Sequence, residues 1–145
     1  MHRLLLVIGL LGACDSKPAG EKAKLTKAEK AAKAADEFDA MLVDPPADVV
    51  AAIGADVYPG AKMMKSFKVM TTGSSVDYVF FTKDEPGKVR AFYLGKLTAA
   101  KPGDPVMEKM GAFVVKGTNA KGEAVTVQAQ GQAGRTNVHF VVTTK

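Results

Sequence analysis

The chain has one cysteine, Cys14, and it stands ahead of the alternating segments that could build a sheet. A single thiol closes no disulfide within a molecule and supplies no multi-thiolate zinc site. Any fold must therefore be held by apolar burial and hydrogen bonds. The chain is 47% hydrophobic, and the roughly 130 residues from Cys14 onward are enough for one domain with its own core plus a leader segment.

What precedes Cys14 is informative. Met1-His2-Arg3 is a small basic start, and Leu4 to Leu11 is a short run of Leu, Val, Ile and Gly. That run is far below the ~20 apolar residues that span a bilayer as a helix. It fits the roughly 7–15 residues of a secretory apolar region. Leu11-Gly12-Ala13-Cys14 then places a large aliphatic residue and two small ones before the thiol. This resembles the lipobox of bacterial lipoproteins. The resemblance implies cleavage between Ala13 and Cys14, a diacylglyceryl group on the Cys14 sulfur and an acyl chain on the new amine. It also implies a domain outside the cytoplasm, lipid-anchored to a membrane of the cell envelope. Two or three acyl chains hold a protein stably at ~0.8 kcal/mol per buried methylene. An acylated Cys14 leaves no thiol for nucleophilic chemistry.

Residues 1–13 thus read as a signal peptide and 14–25 as a tether. Asp15 to Lys24 is polar, contains Pro18 and Gly20, and has little to bury. Its lysines continue through Lys27, Lys30 and Lys33. They suit either attraction to anionic headgroups or a solvated spacer. The net charge of +5 is mild and does not suggest a nucleic-acid partner.

Residues 26–54 read as helical. Thr26-Lys27-Ala28-Glu29 matches a capping box. Alanine-rich sequence follows, and Ala31, Ala34, Ala35, Phe38, Met41 and Leu42 share one face. The stripe is thin before Phe38, so the first turns should be weakly attached. Asp44-Pro45-Pro46 should end this helix. A second short one should run from Pro46 or Ala47 to Ile53 and stop at Gly54.

Residues 55–145 carry the sheet. Tyr58-Pro59-Gly60-Ala61 reads as a type II turn. Lys62 to Met70 and Val76 to Thr82 should pair as a hairpin around Gly73. Asp84 should cap a helix from Glu85 to Leu97, with Val89, Phe92, Tyr93 and Leu97 as its apolar stripe. Lys101 to Pro105 reads as a loop. Ala112 to Lys116, Glu123 to Gln130 and Thr136 to Thr144 read as three more strands. The expected fold is α+β: an antiparallel sheet of about five strands in ββαβββ order, with one helix on a face. That helix should cover Phe80, Val127 and Phe140. The other face, with Thr126, Gln128, Gln130, His139 and Thr143, should be more polar. The final strand could lie at a sheet edge, open to strand addition.

Tyr58-Pro59-Gly60-Ala61, Phe81-Thr82-Lys83-Asp84 and Val89 with Phe92-Tyr93 and Leu97 also resemble a small, largely uncharacterised α+β domain of bacterial lipoproteins. The resemblance covers roughly Val57 to Lys145 and implies fold and envelope location, without catalytic residues. The chain lacks the Gly-Trp that follows the helix in that pattern.

Residues that carry chemistry are sparse. His139 is the one histidine after the signal, without acidic neighbours in sequence, and reads as a surface or cross-strand residue. Asp36, Glu37 and Asp39 read as a solvated helix face. No Gly-x-Ser-x-Gly elbow or calcium-loop spacing is present. The sequence therefore suggests no catalytic residue, no metal site and no cofactor beyond the covalent lipid. The methionines read first as gap-filling in the core; if exposed, Met63, Met107 and Met110 could instead line an apolar contact surface, with His139 on a polar face. The expected function is a non-enzymatic accessory module that contacts another envelope protein or its own copies. The alternative is binding of a small apolar ligand between helix and sheet, beside Met63, Phe80, Phe92 or Phe140.

Overall fold

The computed structural model describes residues 26–67 and 69–144. The signal, tether, Ala13 and Cys14 lie outside the described residues. The chain opens with helix α1, Lys27–Ala40, and its capping box forms. The Thr26 amide donates to Glu29 Oε2 at 2.7 Å, and the Glu29 amide donates to Thr26 Oγ1 at 3.3 Å. The first turns of α1 are exposed; only Ala35, Phe38 and Asp39 are half-buried. The helix stops short of the prolines because Leu42–Val43, strand β1, pairs antiparallel with Met63–Met64, strand β2. Between these strands lies helix α2, Ala47–Ile53, which ends at Gly54 with φ +64°. The left-handed conformation favours glycine.

The expected hairpin forms over a shorter span. Lys62 bridges Phe81, the chain then leaves to make β2, and it returns as strand β3, Met70–Thr72. Strand β4, Ser75–Thr82, pairs with β3 through Met70↔Asp77 and Thr72↔Ser75. Helix α3, Pro86–Lys96, has Glu85 rather than Asp84 at its N-cap, and the Glu85 side chain makes no capping bond. The Asp84 carboxylate is taken by Tyr58 and Lys88 instead.

The largest correction follows α3. The expected loop contains strand β5, Thr98–Pro102, and helix α4, Pro105–Lys109. Asp104 caps α4, its Oδ1 accepting from the Val106 amide at 2.8 Å. Strand β5 lacks apolar alternation because it lies at an edge, where Pro102 is tolerated. Gly117 lets it approach: a Cβ there would sit 2.9 Å from Leu97 Cβ and from the Thr98 carbonyl oxygen. Strands β6 (Ala112–Thr118), β7 (Ala124–Gln132) and β8 (Arg135–Thr143) complete the sheet.

The architecture is α+β. One antiparallel sheet has six strands in the order β3-β4-β8-β7-β6-β5, rather than five in ββαβββ sequence. Strand β8 lies inside the sheet, between β4 and β7, so it offers no edge. One sheet face carries Phe80, Val127 and Phe140, buried with Val89 and Tyr93 of α3 and with Leu97, which follows it. The Tyr93 and Phe140 ring centroids are 5.6 Å apart. The opposite face carries His139, Gln128, Thr126 and Thr143, all half-buried, with the apolar Val79 buried among them in register with His139.

A polar knot joins α2 to the β6–β7 turn. Asn119 is 4% exposed and uses its whole side-chain amide. Its Nδ2 donates to the Ile53 carbonyl and to Glu123 Oε2, each at 2.8 Å. Its Oδ1 accepts from the Lys121 and Glu123 amides, each at 3.0 Å. The Ala120 amide caps the Gly54 carbonyl at 2.8 Å. Asn119→Ala strands these partners. It should lower the unfolding free energy by about 2–4 kcal/mol, seen as a lower urea midpoint at unchanged slope.

Candidate ligand-binding cleft

The contact residues expected from sequence do not converge. Met63 is buried in β2, which packs beside β4. Met107 is half-buried on α4, which packs on β6, and Met110 at the end of α4 is 71% exposed. Strands β8 and β7 separate β4 from β6. His139 lies on the sheet face opposite α3, its Nδ1 3.1 Å from Asp77 Oδ2. That pair does not meet the methionines.

Among the described residues, three cavities border Arg135 instead. Its Nε and Nη2 donate to Asp39 Oδ1 at 3.1 and 2.7 Å, and Nη2 also reaches the Ala35 carbonyl at 2.9 Å. The guanidinium lies 5.0 Å from the Phe38 ring centroid. Phe38 meets Phe81 edge-on at 5.1 Å. Lys83 Nζ approaches Asp39 Oδ2 at 3.0 Å. Together these contacts clasp the last turn of α1 to the sheet. The Arg135 and Lys83 hydrogen bonds hold the Asp39 carboxyl below the usual range.

Two cavities flank the clasp, and Phe81 and Arg135 line both. One is a groove of about 690 Å³ under α1, walled by Ala31, Ala34, Ala35, Phe38 and Ala133. Asn137 also faces it, and its Oδ1 is buried without a hydrogen-bond partner. The other is a cleft of about 490 Å³ with apolar walls from Leu42, Pro59 and Phe81 and with Lys62, Lys83 and Arg135 against Asp39 and Asp84. Cations outnumber carboxylates in it, and Asp39 already serves two of them.

Pro59, Gly60 and Phe81 to Asp84 line this cleft, and Tyr58 and Tyr93 hold the turn that carries the first two. The Tyr58 amide donates to Tyr93 Oη at 3.1 Å, and the Tyr58 hydroxyl donates to Asp84 Oδ2 at 3.0 Å. Burial pushes the Tyr93 phenol upward, so it remains a neutral hydroxyl. Phe92 stands edge-on to Tyr58 and Tyr93, with centroids 5.3 and 5.0 Å away. The Thr136 hydroxyl donates to the Asp84 carbonyl. The Ala61 amide closes the turn on the Tyr58 carbonyl at 3.0 Å, and Gly60 supplies φ +71°. Pro59 and Gly60 are thereby presented to the cleft. Hydrogen bonds from Tyr58 and Lys88 hold the Asp84 carboxyl below the usual range.

Arg135 had no signal in the sequence, because its partner lies 96 positions away. Asp39 reads in sequence as part of a solvated face; in the fold it is half-buried and pairs with Arg135 and Lys83. Chemically, the clasp stands between a largely apolar groove and a positively biased cleft. Among the described residues, no three His, Cys, Asp or Glu side chains gather as a metal site.

Both Asp39 and Asp84 have folded-state pKa values below their unfolded ones. Their contributions are fully present above the unfolded value near 3.8 and are lost as pH falls through the folded values. Acidification below about pH 4 should therefore release α1. Hydrogen exchange followed by NMR should show its amides deprotected before those of β7 and β8. At neutral pH, Arg135→Gln should speed α1 exchange about tenfold and leave the central strands unchanged. No family model, curated protein or solved structure matches the chain.

Proposed function

We propose that the chain is a membrane-anchored bacterial lipoprotein whose α+β domain is a non-enzymatic accessory module of the cell envelope. Leu11-Gly12-Ala13-Cys14 carries this reading, since a short apolar run ending in that pattern suits lipid attachment at Cys14. The order of segments supports it. A polar, lysine-rich stretch leads into α1, and α1 is a 14-residue helix with no buried residue, a rod of roughly 21 Å beside the domain. Its far end bears the Arg135 clasp. The domain resemblance built on Tyr58, Asp84, Phe92 and Tyr93 points to the same location. A partner would be another envelope protein or a second copy.

The second reading is binding of an apolar ligand, favoured by the groove under α1. The pocket expected from sequence, between α3 and the sheet, is where Met63, Phe80 and Phe140 are buried and packed. The open apolar volume lies against the other helix.

The test of the anchor is fractionation of cells that express the chain. Cys14→Ser should move the protein from the membrane pellet to the soluble fraction and abolish incorporation of a labelled fatty acid. Unchanged membrane retention without label would refute the lipoprotein reading.

A further inference from the structure

We infer that helix α4 is a contact surface for the anionic bilayer that carries the anchor, with Val106 and Met110 entering the headgroup region. This rests on the lipoprotein reading above. Three observations converge.

The first is exposure. Val106 and Met110 are 59% and 71% exposed, the most exposed large hydrophobic side chains among the described residues. They stand one helical turn apart, since the Met110 amide donates to the Val106 carbonyl at 3.3 Å. Side chains four apart share a helix face. Met107 is half-buried and α4 packs on β6, so the helix is held while this pair stays in solvent.

The second is charge. Both acids of α4 and its cap are engaged. Asp104 Oδ1 accepts from the Val106 amide at 2.8 Å, and Glu108 Oε1 pairs with Arg90 Nη2 at 2.8 Å. Lys109, next to Met110, forms no ion pair among the described residues. A lysine beside exposed apolar side chains suits an anionic leaflet, because its stem can lie along the acyl boundary while its ammonium stays in water.

The third is placement. Helix α4 leads through Gly111 into Ala112, the start of β6. Ala112 is in register with Gln130, near the end of β7, and Gln132 at that end faces Arg135, the start of β8. Helix α1 crosses the same end of the sheet. Asp39 meets Lys83 just past β4 and Arg135 at the start of β8, and Ala31 lines one groove with Gln132. The residues before Thr26 therefore join the domain at the end that carries α4. Residues 15–25 reach no more than about 40 Å, so a lipid on Cys14 keeps this end within reach of the bilayer.

The same facts favour lipid over a protein partner. Two exposed side chains are too few for a stable protein interface, which buries roughly 800 Å² per partner. They suffice at a bilayer, because the anchor makes the second contact intramolecular.

The experiment uses the full chain purified from membranes, with methyl-labelled Met and Val. It is held in nanodiscs of phosphatidylethanolamine and phosphatidylglycerol that contain a lipid spin-labelled near its glycerol. NMR should show the Val106 and Met110 methyl signals losing most of their intensity. Met70, 57% exposed on the edge strand farthest from β5, should keep its own. Val106→Ser and Lys109→Gln should each reduce the loss at Met110 about fivefold, with the unfolding curve unchanged. Discs of phosphatidylcholine alone should give a similar reduction. No loss at Met110, an equal loss at Met70, or an equal loss in phosphatidylcholine would overturn the inference. So would a loss that appears only with two chains per disc, which marks contact between copies. The intact mass reports the acyl groups. A chain without them sinks the anchor reading and this inference together, whereas an acylated chain with an unbroadened Met110 signal sinks this inference alone.

Discussion

The hydroxyl of Tyr93 is the point on which the domain turns. It is buried within the interface of α3 and the sheet, where an unpaired polar group would be costly. It is satisfied by the Tyr58 amide, which belongs to a turn distant in sequence. One hydrogen bond thus fixes the height of α3 over Phe140 and the position of the Tyr58-Pro59-Gly60-Ala61 turn. The Tyr58 hydroxyl passes the constraint to Asp84, and the Asp84 carbonyl accepts from Thr136 at the start of β8. Core, turn and sheet end are therefore set by one connected group of side chains. A Phe at position 93 would keep the ring packing and leave the Tyr58 amide without its acceptor.

Local order was readable where its cause is local. The Thr26–Glu29 capping box joins residues three apart, and both of its bonds form. Gly54 ends α2 for a reason contained in its own φ. The alternation in β7 and β8 reports a face that must be buried, and Val127 and Phe140 are buried as expected. The misreadings have non-local causes. Strand β5 has no periodic pattern, since its pairing with β6 needs only a backbone and the space that Gly117 leaves. The segment from Lys62 to Met70 is apolar enough for one strand. It is divided because β1 competes for Met63 and Met64. Asp84 has the residue type of a cap, but Tyr58 claims its carboxylate.

The cleft was the least legible part. Its walls come from α1, the Tyr58 turn, the end of β4 and the start of β8, and no segment holds enough of it to form a motif. Alanine at 31, 34 and 35 reads as helix propensity. In the fold, the same small side chains leave room beneath the helix. Met63, whose residue type suits either a contact surface or the core, serves the core, while Met110 is exposed. Residue type alone did not separate packing from recognition, because the distinction depends on whether a neighbouring element fills the space.

The sheet edges have a consequence for how the molecule behaves at high concentration. Strand β3 is three residues long, and β5 ends in proline and is interrupted by a register shift and by Ala99 with φ +51°. Past β3, the margin of β4 is interrupted where Lys62 bridges Phe81, so neither side presents a long, flat row of amides and carbonyls for a neighbour to copy. The long, hydrophobic β7 and β8 are kept inside. A β-rich chain that has no disulfide to hold it shut thus resists templated, fibril-like growth by the irregularity of its margins.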